Sequence, residues 1–99
     1  MSESREYPSR PICGVGIVVF DRHKVLLIRR GKPPRQGNWS IPGGKQKLGE
    51  TLQEAARREV QEETGIEIGP IKLVDVVDSI FKDSQQRIQY HYSLIDWMG

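Results

Sequence analysis

The stretch from Gly44 to Ile66 constrains this 99-residue chain more than any other. Thr51, followed three residues later by Glu54, forms a capping-box pattern that predicts a helix starting at about Leu52. Gly65 supplies the left-handed conformation that ends a helix, and Ile66 behind it can pack back on the last turn. An advance of about 100° per residue from Glu59 puts Glu62 at roughly −60° and Glu63 at roughly +40°. Leu52, Ala55, Ala56 and Val60 fall in the same sector, while Gln53, Glu54, Arg57, Arg58, Gln61 and Thr64 take the other side. Acids that merely solubilise a helix belong on its polar side. Here three carboxylates are expected on the apolar one.

Carboxylates crowded on a partly buried face repel one another and lose hydration, which raises their pKa values unless a cation neutralises them. A hard divalent ion is the natural partner. Mg²⁺ takes oxygen ligands and keeps positions for water and substrate phosphate, so the pattern points towards phosphate chemistry. The plainer alternative, a surface helix held by Glu and Arg pairs at i,i+4, fits the composition but not the phase.

The same stretch resembles the signature of the Nudix hydrolases at every defined position: Gly44, Glu50, Arg58, Glu59, Val60, Glu62, Glu63, Gly65 and Ile66. At average residue frequencies such a match arises by chance in under about one window in 10⁸. The run Gly37-Asn38-Trp39-Ser40-Ile41-Pro42-Gly43-Gly44 is also similar to what precedes the signature in many Nudix proteins. The resemblance implies an α/β/α sandwich around a mixed β-sheet that hydrolyses a nucleoside diphosphate linked to another group. It implies that Glu59, Glu62 and Glu63 bind Mg²⁺ or Mn²⁺, with the Gly44 carbonyl as a backbone ligand. Glu50 and Gly65 would support the cluster, and Arg58 would orient it by pairing with one of its acids. The general base would be Glu59 or a residue beyond Gly99. Substrates of ADP-ribose, nucleotide-sugar or oxidised nucleoside triphosphate type all share the signature. A nucleotide- or ADP-ribose-binding regulatory module without turnover is the competing class.

Length and composition fit one small domain. A net charge of +2, with fifteen basic residues scattered among thirteen acids, argues against a nucleic-acid footprint. One cysteine, Cys13, cannot close an internal disulfide, which fits a reducing compartment and a packing role. No apolar run reaches the length of a membrane span and the polar start lacks a signal peptide's hydrophobic segment, so a cytoplasmic chain is expected.

In order along the chain, residues 1–11 read as a frayed tail and 12–99 as the domain. Ile12 to Phe20 and Lys24 to Arg30 read as two buried strands joined by a turn at Asp21-Arg22-His23. Gly31 to Gly37, with Pro33 and Pro34, reads as a loop that controls access to a site. Candidates for substrate contact are Arg29 and Arg30, of which at most one should face a site, together with Trp39 and Gly43. Ile71 to Phe81 reads as a third strand, and Ile88, Tyr90, Tyr92 and Leu94 alternate with polar residues in a hairpin partner, as sheet core. A sheet with one covering helix leaves its other face bare, so the chain is expected to match roughly the first two-thirds of a Nudix domain. It would lack the C-terminal strands and second helix, or be completed by a partner subunit such as a homodimer.

Overall fold

Ile12 to Val18 contains no charged side chain, and such a run can be satisfied only by pairing on both edges and covering on at least one face. It forms the inner strand of the fold. The computed structural model describes residues 5–31 and 37–99. Its elements are β1 (Ile12–Val18), β2 (Phe20–Asp21), β3 (Lys24–Val25), β4 (Ile28–Arg29), β5 (Trp39–Ser40), β6 (Gly43–Lys45), α1 (Leu52–Thr64), β7 (Lys72–Lys82) and β8 (Ile88–Met98). A four-stranded mixed sheet runs β6-β1-β8-β7, with β1 parallel to β8 and antiparallel to β6. β7 and β8 form the antiparallel hairpin expected from their alternation.

Because side chains alternate across a strand, β1 and β8 divide their residues between two faces. Val15 and Ile17 of β1, with Ile95 and Trp97 of β8, pack on Ala55, Ala56 and Val60 of α1, and Cys13 lies against this core. Gly14, Gly16, Leu94 and Asp96 belong to the opposite face, where they line an open cleft. The helix therefore covers one side of the sheet and leaves the other accessible. Of the two helical layers in an α/β/α sandwich, one lies within the described residues.

The helix begins and ends on the predicted signals. Thr51 Oγ1 accepts from the Glu54 amide at 3.1 Å and Glu54 Oε1 accepts from the Thr51 amide at 3.0 Å, completing the capping box. Gly65 takes φ 75° and its amide donates to the Gln61 carbonyl. Ile66 does not pack back; it stays exposed, its amide bonded to Thr64 Oγ1.

Other expectations need correction. Lys24 to Arg30 is not one buried strand: it splits into β3 and β4, which pair with β2 and β5 as separate two-stranded ribbons, leaving Val25 and Leu27 exposed. Short partners outside the main sheet give this segment no layer to hide under. The aliphatics of β7, including Val74, Val76 and Ile80, are likewise exposed, because β7 is an edge strand and α1 packs on β1 and β6. The tail expected to fray is docked from Arg5 onward: the Tyr7 amide donates to the Gln89 carbonyl at 2.8 Å and Arg5 Nε donates to Tyr92 Oη at 3.0 Å. This contact buries Tyr92 on the cleft side of the sheet. Residues 1–4 of that tail and residues 32–36 of the proposed access loop lie outside the described residues. No described helix is long and apolar enough to cross a membrane.

Since the capping box closes two otherwise unpaired amides, Thr51→Ala is expected to cost about 1 kcal/mol of stability while leaving the fold unchanged. Urea unfolding followed by circular dichroism measures it, and an unchanged midpoint would contradict the capping role.

Candidate active site

Arg58 leaves the helix one residue before Glu59 and reaches back towards the loop that precedes the helix. Its Nε donates to Glu50 Oε2 at 2.6 Å and its Nη2 to Glu50 Oε1 at 3.0 Å, the two parallel bonds of a bidentate pair. Nη2 also donates to the Lys45 carbonyl at 2.9 Å. Nη1 donates to Glu59 Oε1 at 2.7 Å and to Glu62 Oε2 at 3.2 Å. One guanidinium thus ties β6, the loop and three carboxylates together. The Arg58 pair holds the Glu50 carboxyl down at about 2, helped by the Lys47 amide that donates to Glu50 Oε1.

Glu59 and Glu63 are brought to the cleft at the β6 edge, where Gly43 and Gly44 present no side chains. A Cβ at Gly44 would lie 2.6 Å from Glu59 Oε1, so the carboxylate rests directly on the backbone there. Glu63 Oε2 accepts from the Gly43 amide at 3.2 Å. Although Glu63 is exposed as a whole residue, partial burial of its carboxyl is the largest influence on its pKa; the neighbouring Glu59 adds to it, and the group is pushed up to about 7 against the opposing Gly43 amide and Arg30. Crowding and desolvation therefore act on Glu63 as the sequence argument anticipated for the cluster.

Glu62 differs. The three acids were expected in one sector, but the Glu62 side chain is 53% exposed, held on the rim by Arg58 and outside the cleft lining. The angular arithmetic fixes where a side chain leaves the helix, not where a competing guanidinium draws its end. Among the described residues no group of three or more His, Cys, Asp or Glu is gathered as a ready-made metal cage. What remains is two carboxylates against the Gly44 backbone, all hard oxygen donors. That set fits Mg²⁺, which commonly binds through one or two carboxylates and completes its shell with water and substrate phosphate.

Both arginines at the end of β4 line the cleft, where at most one was expected. Their surroundings separate them. Arg29 Nε donates to the Gly37 carbonyl at 3.0 Å, and its guanidinium lies 6.0 Å from the Trp39 ring centroid, with Trp39 itself 67% exposed. Arg30 carries a buried Nε without a hydrogen-bond partner and acts electrostatically on Glu63. Gly43 lines the cleft, but its amide donates to Glu63. Gly65 stays at the far end of the helix as a cap. Sequence reasoning missed Asp96, which lines the cleft floor. The available signal was an acid continuing the parity of Tyr90, Tyr92 and Leu94.

A family model described as the NUDIX domain matches residues 11–98. Over 67 residues the chain is 40% identical to the 8-oxo-dGDP phosphatase NUDT18 of Homo sapiens, covering 66% of this chain and 21% of that one. It is 33% identical over 89 residues to the ADP-ribose pyrophosphatase of Methanocaldococcus jannaschii, covering 90% of this chain and 53% of the relative. The crystal structure of a MutT NUDIX hydrolase from Burkholderia pseudomallei matches with a TM-score of 0.80 and 30% identity, over 92% of this chain and 67% of that one. The chain thus spans about half or less of the length of these two curated relatives.

Two titrations test the electrostatics of the site. Glu50 has a folded-state pKa near 2, below its ordinary 4.5, so its contribution to stability is present above about 4.5 and lost as pH falls towards 2. Glu50→Gln should lower the melting temperature at pH 7 and narrow its difference from the parent between pH 4.5 and 2; a difference independent of pH would contradict the pairing. Glu63 has the opposite sign: its raised pKa favours the folded state at low pH, and that advantage disappears as pH rises from about 4.5 to about 7. In metal-free protein the Glu63 carboxyl ¹³C shift should titrate with a midpoint near 7, whereas a midpoint near 4.5 would contradict its crowding against Glu59.

Proposed function

The chain belongs to the Nudix hydrolase family, and on that membership together with the carboxylate pair at its cleft we propose that it hydrolyses the pyrophosphate bond of a nucleoside diphosphate derivative with Mg²⁺ or Mn²⁺. The observation that carries the reading is the placement of Glu59 and Glu63 side by side at the Gly43-Gly44 edge, facing an open cleft of about 1130 Å³ that has room for a nucleotide. A solvated helix face would offer neither the contact between acids nor the cleft.

When bound, the cation supplies charge neutralisation on the pyrophosphate oxygens and polarises the phosphorus under attack by water. Glu59 and Glu63 would hold it, with the Gly44 carbonyl as the backbone donor. Arg58 keeps Glu59 oriented while balancing the charge of Glu50 and Glu62, so it is a positioning residue. Glu62 contributes at the rim. Arg30 lines the cleft and acts electrostatically on Glu63, so its guanidinium could donate to a phosphate oxygen, and the exposed Trp39 face braced by Arg29 could stack on a base. The water oxygen bonds to one phosphorus as the bond from that phosphorus to the bridging oxygen breaks; the bridging oxygen leaves with the other phosphate, and the proton lost by water passes to solvent. The names of the relatives support ADP-ribose or an oxidised guanine nucleotide as the substrate class.

Incubation with a panel of nucleoside diphosphate derivatives and Mg²⁺, reading monophosphate formation, tests the proposal. Turnover of at least one is expected; tight binding without product would assign a regulatory module instead. Glu59→Gln and Glu63→Gln should each lower turnover by roughly 10²-fold or more, with Glu62→Gln less damaging, and near-normal rates in the first two would contradict the assignment.

A further inference from the structure

One rung of the sheet crosses all four strands as Gly43, Gly16, Asp96 and Asp75. Gly43 and Gly16 carry no side chains, so the Asp96 carboxyl leans over β1 towards the edge where Glu63 is bonded. A Cβ at Gly16 would lie 2.7 Å from Asp96 Oδ1 and 3.0 Å from Ile41 Cδ1. With neighbouring strands about 4.8 Å apart, the backbones of Asp96 and Gly43 are roughly 10 Å apart across two strand spacings. Asp96 and Glu63 both line the same cleft.

A carboxyl on a sheet face is ordinarily paired with a cation or left in water. Asp96 is half-buried, and no hydrogen-bond or cation partner for it occurs among the described residues. The neighbour on its rung, Asp75, is a like charge. Burial and then Asp75 both raise its pKa. Such a group is costly to keep unless something entering the cleft brings it a donor.

We propose that Asp96 is a specificity-determining residue that accepts hydrogen bonds from the nucleoside of the substrate while the pyrophosphate lies at Glu59 and Glu63. This rests on the reading of the acid pair as the pyrophosphate end. An ionised carboxylate is purely an acceptor with two oxygens side by side, so it matches a ligand edge that offers two neighbouring donors. Two parts of a nucleoside have that edge: the ring N–H and amino group of guanine, and the vicinal hydroxyls of ribose. Ile41 and Leu94 line the cleft beside it and suit a flat, weakly hydrated group.

Calorimetric titration of the chain in Mg²⁺ with inorganic pyrophosphate, GDP, ADP and the two 2′-deoxynucleoside diphosphates tests this in the parent, Asp96→Asn and Gly16→Ala. The parent should bind at least one nucleotide more tightly than pyrophosphate, and Asp96→Asn should weaken that nucleotide roughly 10-fold or more while pyrophosphate affinity is unchanged. Gly16→Ala, which displaces the carboxyl without removing it, should produce the same selective loss. A loss confined to the guanine nucleotides identifies the base as the donor; one confined to the ribonucleotides identifies the sugar. Nucleotides that bind no better than pyrophosphate, or that ignore Asp96→Asn, would overturn the role. Pyrophosphate failing to bind, while nucleotides bind and respond to Asp96→Asn, would remove the cation-site reading and leave Asp96 standing.

Discussion

Four acids on one short loop and helix would repel one another, and the arrangement holds because Arg58 sits among them. Its five contacts use Nε and both terminal nitrogens, so little of the guanidinium is left for substrate. Planar bidentate pairing with Glu50 fixes the plane of the fork, and that plane aims Nη1 at Glu59. Lysine could supply the charge but not the geometry. The bond to the Lys45 carbonyl adds a mechanical consequence, since it ties the exit of β6 to the helix and keeps the Gly43-Gly44 edge against the acids.

The second constraint is steric. Glu59 lies so close to the Gly44 backbone that any side chain there would displace it, and that approach lets acids on the covered side of the sheet reach its edge. The sheet then has two distinct uses. Odd-numbered positions of β1 and β8 pack on the helix and hold it in place, while Gly14, Gly16 and Asp96 on the other parity form the floor of the cleft. Fold and site share the same strands but not the same faces.

The helix was legible because its start and stop rest on local chemistry, the Thr51-Glu54 box and Gly65, which distant contacts do not alter. The hairpin of β7 and β8 was legible from alternation for the same reason. What could not be read was a choice between local pairings in one case and tertiary partners in the others, since the Arg58–Glu62 pair is an i,i+4 contact within the helix. Glu62 leaves the helix in the expected direction but is captured by Arg58, and Lys24 to Arg30 breaks because its neighbours are two-residue strands. Arg5 and Tyr7 are tied down by β8, which no local pattern announces. Asp96 continues the parity of Tyr90, Tyr92 and Leu94, but that alternation gives an acid no role by itself; its meaning comes from the glycine opposite it.

The central claim is that a divalent cation sits between Glu59, Glu63 and the Gly44 backbone. Mn²⁺ broadens NMR signals steeply with proximity, so substoichiometric Mn²⁺ added to ¹⁵N-labelled protein maps the ion directly. The account predicts that the amides of Gly43, Gly44 and Lys45 and of Glu59 through Glu63 disappear first. Broadening centred instead on Asp75, Asp78 and Asp83 of the hairpin, or spread evenly over the surface acids, would contradict it.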